Sequence, residues 1–221
     1  MCQMPIRVKI CGITNADDCR QATLLGADAI GLNFYPASPR FVDSSLVEEI
    51  LRDVPPFVDV VGLFVNERLQ QVWQLVQRWG RIRTVQWHGE NHELGDVAPL
   101  QLISAFQVRG VEDLQAITRY LDLRRSRIGP PAAVLVDAHV PGEYGGTGRT
   151  APWELLAEFR PGVPVILAGG LTPENVAEAI RIVQPYAVDV ASGVERSPGR
   201  KDAEKIRRFV GSAREAAARW T

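Results

Sequence analysis

This sequence has few cysteines and almost no net charge, and each of these features excludes a class of protein. The 221 residues contain three cysteines, an odd number that is too small for a disulfide-stapled secreted scaffold. Lysine and arginine (25 residues) nearly cancel aspartate and glutamate (26 residues), which leaves a formal net charge of −1. Because such a chain has no general attraction for polyanions, we expect no nucleic-acid partner. Because the cysteines are too few for a disulfide scaffold, we expect a reducing, cytoplasmic setting.

Long hydrophobic segments are missing as well. No apolar run approaches the roughly 20 residues that cross a bilayer, and residues 1–8 lack the apolar stretch of a secretory signal. We therefore expect no membrane partner. Hydrophobic residues make up 46% and charged residues 23% of the chain, which are the proportions of an ordinary globular protein. Since no linker or low-complexity tract is visible, the sequence predicts one domain over residues 1–221.

Short apolar runs recur along the chain and predict eight buried strands. The predicted strands are Arg7–Cys11, Ala29–Phe34, Val58–Val65, Thr84–Trp87, Leu102–Val108, Ala133–Asp137, Pro164–Ala168 and Ala187–Val190. Most segments between them carry apolar residues at helical spacing, as in 46–51, 69–79, 114–121, 176–183 and 203–213. Ser45 with Glu48 forms a possible capping box, and Thr172 is a predicted N-cap.

Eight strands that alternate with helices predict an α/β fold, a single (β/α)8 TIM barrel. The segment Gly89–Pro99 is polar and interrupted by glycine and proline, so we expect the helix between strands 4 and 5 to be reduced or missing. The alternative is an open doubly wound sheet, which typically has fewer strands and leaves the last two unexplained.

Two candidate acid–base groups fall at the carboxyl ends of predicted strands, where such barrels place their active sites. Cys11 ends the first strand, and Asp137 ends the sixth. A cysteine thiolate is a competent base, although an ordinary thiol pKa of about 8.5 leaves only a small ionised fraction at neutral pH. The structural alternatives are that Cys11 is packed in a core and that Asp137 caps a helix.

Two loops that contain glycine follow the seventh and eighth strands. Gly169 and Gly170 lead into the helix with Thr172 at its start, and Ser192 and Gly193 follow the last strand. Backbone N–H groups without obstructing side chains, together with a helix N-terminus, favour an anion at the loops where barrels often hold phosphate. The pair predicts a phosphate site, and the alternative is that these glycines only make tight turns.

No metal or nucleotide cofactor is expected. His88 and His92 are four residues apart, but Gly89 interrupts the helix that would align them, and no cysteine or glutamate completes a zinc set. The segment Gly142–Thr150 departs from a P-loop at two required positions and is interpreted as a loop that can fold over a ligand. No strand is followed by Gly-x-Gly-x-x-Gly, so a dinucleotide has no binding loop.

Eight segments occur in a characteristic order from the first strand to the last helix. They are Val8–Thr14, Gly26–Gly31, Phe34–Arg40, Val85–Gly89, Gly145–Gly148, Ala168–Val176, Ser192–Glu195 and Pro198–Asp202. No single segment is decisive, but the ordered set is highly specific. In these segments the chain resembles the phosphoribosylanthranilate isomerase family. The resemblance implies a cofactor-free Amadori rearrangement of N-(5-phosphoribosyl)anthranilate, a small phosphosugar, in tryptophan biosynthesis.

The resemblance also implies a role for each matching residue. Cys11 would be the general base, Asp137 the general acid, and Arg40 would bind the anthranilate carboxylate through its planar fork. The other substrate-binding residues that it implies are His88, Asp189, Gly169, Gly170, Ser192 and Gly193. An acid must hold its proton near neutral pH, so we predict that burial raises the pKa of Asp137 above the value of about 3.9 for a free aspartate.

Other functions stay open on the sequence alone. One is another phosphosugar isomerase or epimerase on the same barrel, which would require metal ligands, and another is a non-catalytic barrel that binds a phosphorylated metabolite. Two departures from the family pattern, Trp87 and Ala151-Pro152, leave the pocket width near strand 4 and the start of the sixth helix open. The chain is expected to act as a monomer or a homodimer.

Overall fold

A computed structural model describes residues 5–89, 98–138 and 153–218 of the chain. Eight parallel strands form a closed barrel in which each strand pairs with the next and the eighth pairs with the first. The strands are β1 (Arg7–Cys11), β2 (Ala29–Asn33), β3 (Asp59–Val65), β4 (Ile82–His88), β5 (Gln101–Gln107), β6 (Ala133–Asp137), β7 (Val165–Ala168) and β8 (Ala187–Val190). This closure confirms the predicted barrel, and the open sheet is wrong.

Helices follow most of the strands. They are α1 (Ala16–Leu24), α2 (Val47–Leu51), α3 (Leu69–Val76), α4 (Val111–Arg127), α5 (Trp153–Ala157), α6 (Val176–Val183) and α7 (Ala203–Ala218). Most of the connection between β4 and β5 lies outside the described residues, as do His92, the Gly142–Thr150 loop and Ala151-Pro152. In the part of the chain that the structure describes, no helix is both long and apolar enough to span a membrane.

Apolar side chains pack in two cores, one between the barrel and the helices and one inside the barrel. Successive residues of a strand face opposite sides, so Val8 and Ile10 of β1 pack towards the helices. By the same alternation Lys9 and Cys11 face the interior. Trp87 belongs to the outer core, and its indole N–H donates to the carbonyl of Glu67 at 2.8 Å. Trp87 therefore packs on the helix side of β4 rather than in the barrel interior.

Two helix starts differ from the sequence analysis. Helix α1 is expected from the alternation of strands and helices, but the sequence analysis does not locate it, because little besides Cys19 and Ala22 gives it a buried apolar face. Asn15 caps it by accepting from the backbone N–H of Asp18 at 2.9 Å. The predicted capping box at Ser45 is wrong. Asp43 accepts from the backbone N–H of Ser45 at 2.9 Å and caps a single 3-10 turn that precedes α2.

Asp28 joins the N-terminal end of the barrel to the last helix. Its carboxylate accepts from the backbone N–H of Val8 at 2.8 Å, from Arg7 at 3.0 Å and from Arg214 of α7 at 2.7 Å. Arg214 also donates to the carbonyl of Ile6 at 2.7 Å. The first strand and the last helix, which lie at opposite ends of the sequence, are therefore held together at one carboxylate.

The variant Asp28→Ala tests this junction. We expect the free energy of unfolding in urea to fall by about 2 kcal/mol, because the substitution removes the carboxylate that accepts from the Val8 N–H, from Arg7 and from Arg214. Asp122→Ala is the matched control, since Asp122 makes an exposed pair with Arg125 on one face of α4 and should cost only about 0.3 kcal/mol. Equal losses in the two variants would contradict a special role for Asp28.

Candidate active site

A lysine, an aspartate and a cysteine meet inside the barrel on β1 and β8. Lys9 lies opposite Asp189 in the register of the two strands, and its ammonium donates to the Asp189 carboxylate at 2.9 Å. Only 5% of the Lys9 side chain and 8% of the Asp189 side chain are exposed. Cys11 follows Lys9 by two residues on the same face of β1, and its thiol interacts with the Lys9 ammonium.

Burial dominates the ionisation of this cluster. Loss of hydration raises the pKa of the Cys11 thiol above its ordinary value, while the Lys9 ammonium acts in the opposite direction without cancelling the effect. Burial alone would lower the pKa of Lys9, but Asp189 and Cys11 outweigh it, so the Lys9 pKa is raised. Cys11 is therefore a protonated thiol near neutral pH, beside a charged group that favours its thiolate.

Gly31 provides the space for the cysteine. It is the register partner of Cys11 on β2. A Cβ atom at Gly31 would lie 2.8 Å from Cys11 Sγ and 3.1 Å from Lys9 Nζ. A side chain here would push both groups out of position, so the arrangement of thiol and ammonium depends on a glycine in the neighbouring strand.

A cavity of about 230 Å³ opens at the carboxyl ends of the last three barrel strands. Its lining residues are Asp137, Ala168, Gly169, Gly170, Leu171, Asp189, Val190, Ala191 and Ser192. Asp137 is half-buried at the end of β6. Because Asp189 both lines the cavity and contacts Lys9, it connects the cavity with the group that surrounds Cys11.

The two glycine loops form one side of this cavity and touch each other. Gly169 (φ 94°) and Gly170 (φ 62°) occupy the left-handed region, which strains other residues. A Cβ atom at Gly193 would lie 1.9 Å from the backbone oxygen of Leu171. The loop after β8 can therefore approach the loop after β7 only because Gly193 has no side chain.

The prediction of Thr172 as the N-cap is wrong, because the structure places Asn175 at the N-cap of α6, one turn later. The Thr172 hydroxyl accepts from the backbone N–H of Glu174 at 3.2 Å, and the side-chain oxygen of Asn175 accepts from the Thr172 N–H at 2.8 Å. These bonds close a turn, and α6 begins after it at Val176. The loop after β7 is thus anchored to the start of α6 by reciprocal side-chain bonds.

Arg40 lies in the loop after β2 and contacts a residue that the sequence analysis gave no role. Its Nε and Nη2 donate to the two carboxylate oxygens of Glu195 at 2.8 and 2.7 Å. Glu195 also accepts from Lys201 at 2.9 Å. Arg40 is therefore held as the partly exposed member of a group of three charged side chains, of which Glu195 and Lys201 are buried.

His88, at the end of β4, is kept neutral by its surroundings. Burial, reinforced by the positive charge of Lys9, lowers its pKa to about 4. Its Nε2 lies 2.7 Å from Nε2 of Gln86, a pairing that requires the ring nitrogen to accept. His88 is therefore a neutral imidazole rather than a cation near neutral pH.

Comparison with known proteins decides the family. The family model "N-(5'-phosphoribosyl)anthranilate (PRA) isomerase" matches residues 8–212. The chain belongs to this isomerase family. A relative from Trichlorobacter lovleyi, named N-(5'-phosphoribosyl)anthranilate isomerase, is 47% identical over 96% of this chain and 99% of its own. One of the same name from Geobacter sulfurreducens is 45% identical over 95% and 98%.

Solved structures of the isomerase family share the fold. Phosphoribosyl anthranilate isomerase from Thermotoga maritima has a TM-score of 0.83 and 38% identity, with coverage of 95% of this chain and 99% of that one. A phosphoribosyl anthranilate isomerase in complex with reduced 1-(o-carboxyphenylamino)-1-deoxyribulose 5-phosphate has a TM-score of 0.80 and 34% identity over the same shares. The likeness covers nearly the whole barrel.

The residues expected from the isomerase family are distributed around one end of the barrel. Five of them line the cavity: Asp137, Gly169, Gly170, Asp189 and Ser192. Gly193 contacts the loop beside them, Cys11 is connected through Lys9, and His88 also lies within the electrostatic reach of Lys9. Arg40 belongs to the separate group with Glu195 and Lys201.

Sequence reasoning missed Lys9, Glu195 and Lys201. Lys9 could have been found from the sequence, because a lysine in an apolar strand two residues before Cys11 must lie on the same face of the strand as Cys11. Lys201, only 1% exposed, could not have been found in this way, since its burial depends on the short hairpin β9 (Glu195–Ser197) and β10 (Arg200–Lys201).

The low pKa of His88 can be checked by NMR titration. We expect its imidazole to titrate near pH 4, with His88→Gln used to assign the signal. Lys9→Met should raise this pKa only part of the way to 6.5, because burial is the larger cause. Between pH 6.5 and 4 this histidine is protonated in the unfolded chain but not in the folded protein. The free energy of unfolding should therefore decrease as the pH is lowered in wild type, and it should decrease less in His88→Gln. A His88 signal that titrates near pH 6.5 would contradict this account.

Proposed function

We propose that Asp137 and Cys11 carry out an acid–base isomerisation on a substrate whose phosphate is held by the loops after β7 and β8. By family, the chain is an aldose–ketose isomerase of tryptophan biosynthesis. Its reaction converts N-(5'-phosphoribosyl)anthranilate to 1-(2-carboxyphenylamino)-1-deoxyribulose 5-phosphate. The observation that carries the residue roles is the single cavity bordered by Asp137, both glycine loops and Asp189, with Cys11 adjacent through Lys9.

The first step belongs to Asp137. Its carboxyl group donates a proton to the ring oxygen of the ribose, which opens the sugar as the C1–O bond breaks and leaves an iminium ion between C1 and the aromatic nitrogen. Its half-buried place at the end of β6 suits an acid that must hold a proton until the substrate arrives.

The second step belongs to Cys11. The iminium ion makes the C2 proton acidic, and the Cys11 thiolate removes it to form an enolamine. The Cys11 thiol then returns a proton to C1 while the C2 hydroxyl loses its proton to the Asp137 carboxylate, which gives the ketone and restores both groups. Because burial raises the pKa of Cys11, the thiolate forms only with help from a positive charge. The Lys9 ammonium offsets only part of this rise, and the iminium that develops on the substrate adds the further positive charge that favours the thiolate.

The two ends of the substrate are held apart in this proposal. The phosphate binds the backbone N–H groups of the loops with Gly170, Ser192 and Gly193, beside the turn that leads into α6. The anthranilate carboxylate binds Arg40 in a charge-assisted pair. Holding both anionic ends orients the ribose between the acid and the base.

The family assignment favours this isomerisation over the phosphosugar epimerase and the non-catalytic barrel. A catalytic thiol must stay reduced, and Cys11 and Cys19 are both free in the structure. We therefore propose that the enzyme works in the reducing cytoplasm. We also propose that the chain forms one catalytic domain. It requires no cofactor in this mechanism. We propose a monomer or a homodimer as its assembly, since a Thermotoga maritima relative is described as dimeric.

The acid–base pair is tested with Cys11→Ser and Asp137→Asn. Each should lower kcat at least about 100-fold, measured as the loss of the fluorescence of freshly prepared phosphoribosylanthranilate. Cys19→Ala and Asp113→Asn are the matched controls, because both residues lie away from the cavity, and both should retain activity. Wild-type turnover in Cys11→Ser and Asp137→Asn would contradict the assigned roles.

The phosphate site is tested with Gly193→Ala. The added methyl group would meet the backbone of Leu171, so the two loops must separate, and we expect the KM for the phosphorylated substrate to rise about 10-fold or more. Inorganic phosphate should also raise the Tm of wild type and raise that of the variant less. Gly211→Ala is the control because a Cβ atom there meets open space. An unchanged response to phosphate in Gly193→Ala would argue against the site.

A further inference from the structure

Glu195 is a buried carboxylate that the mechanism above does not use, and it grips Arg40 by one edge. The two bonds, 2.8 Å to Nε and 2.7 Å to Nη2, form a parallel fork. Only 4% of the Glu195 side chain is exposed, against 23% of Arg40. The carboxylate is therefore inside the protein, and the guanidinium is the member of the pair that faces outward.

Among the residues that the structure describes, Glu195 is the one side chain bonded to the Arg40 guanidinium, so the fork leaves a second edge of that group available. Arginine has five N–H donors in one plane, and Glu195 takes the Nε–H and one Nη2–H. The edge formed by Nη1 and the other Nη2–H can accept a second carboxylate in the same way. Because the group is planar, fixing the first edge fixes the direction of the second.

Glu195 is itself held firmly. Lys201 Nζ donates to Glu195 Oε1 at 2.9 Å and to the carbonyl of Ala191 at 3.1 Å, and its side chain has no exposed surface. Lys205 donates to the backbone carbonyl of Glu195 at 2.7 Å. The carboxylate is thus anchored to the loop after β8 and to α7, and it gives Arg40 a fixed point of reference.

The loops around Arg40 are packed against each other as well. A Cβ atom at Gly12 would lie 2.5 Å from Arg40 Cδ, and one at Gly199 would lie 3.0 Å from the carbonyl oxygen of Pro39. The Thr14 hydroxyl donates to the carbonyl of Gly199 at 2.6 Å. The loops after β1, β2 and β8 therefore meet at the arginine.

The charges of this group favour one further anion. Burial alone would raise the pKa of Glu195, but Arg40 and Lys201 outweigh it and hold that pKa below its usual range. Glu195 is therefore ionised at neutral pH between two cations. Burial lowers the pKa of Lys201 from its ordinary value, although Glu195 acts in the opposite direction. With Lys201 protonated, these three side chains carry one excess positive charge, which a carboxylate on the free edge of Arg40 would neutralise.

We infer that Glu195 is a positioning residue that orients Arg40 so that its second edge recognises the carboxylate on the aromatic amine of the substrate. The inference rests on the proposed function, in which Arg40 binds that carboxylate. It assigns selectivity for an amine bearing a carboxylate to the pair rather than to Arg40 alone.

The test compares two substrates prepared from ribose 5-phosphate, one with anthranilate and one with aniline, which lacks the carboxylate. Wild type should prefer the anthranilate compound. In Glu195→Gln we expect the KM for that compound to rise about 10- to 100-fold, since the fork loses its charge, with a much smaller change in kcat. The KM for the aniline compound should stay the same, a result that general structural damage would not give.

Two further variants complete the experiment. Glu195→Gln leaves the buried ammonium of Lys201 without its carboxylate, which could make the single variant fold poorly. The double variant Glu195→Gln/Lys201→Met removes both charges and avoids this problem. It should show the same selective rise in KM. Glu204→Gln is the matched control, because Glu204 pairs with Arg207 on the exposed face of α7, and it should leave both KM values unchanged.

The outcomes separate this inference from the proposed function. A lower KM for the anthranilate compound would mean that Glu195 competes for Arg40, and an equal rise for both compounds would mean a general structural role. Either result overturns the positioning role while the isomerase activity stands. If wild type converts neither compound, the proposed function fails, and if it does not distinguish them, the role of Arg40 fails.

Discussion

The ion pair between Lys9 and Asp189 is the constraint around which the site is built. Two opposite charges inside a barrel must stay paired, because either one alone would have lost its hydration without compensation. Their pairing between adjacent strands fixes where the polar part of the interior begins. An apolar cluster also packs inside the barrel, while Cys11 lies next to the positive member of the pair and the cavity next to the negative one.

Local groups explain how a chain with a net charge of −1 can hold a substrate that is anionic at both ends. In the proposed binding mode, backbone N–H groups of the loop with Gly169 and Gly170 hold the phosphate and need no side-chain charge at all. At the other end, Arg40 is the partly exposed member of a group with one excess positive charge. The overall field of the protein contributes little, so recognition depends on the geometry of these two places.

The barrel was predictable from sequence because parallel strands are buried on both faces and appear as continuous apolar runs. Helix α1 was not, since a helix with a narrow buried face has almost no periodic signal. Cys11 and Asp137 could be placed because strand ends define one rim of the barrel. The contact between Arg40 and Glu195 could not, because it joins two loops 155 residues apart through the β9–β10 hairpin.

The meeting of the loops after β2 and β8 at Arg40 has a consequence for how such an enzyme can diverge. Barrel enzymes are often thought to change specificity by exchanging one loop at a time, each on an independent strand. Here the donor lies on one loop and the carboxylate that aims it lies on another. Grafting the loop after β2 alone would bring in an arginine without the carboxylate that orients it. Grafting the loop after β8 alone would bring in a buried acid without its partner. Retargeting this barrel to another amine therefore requires both loops to be replaced together.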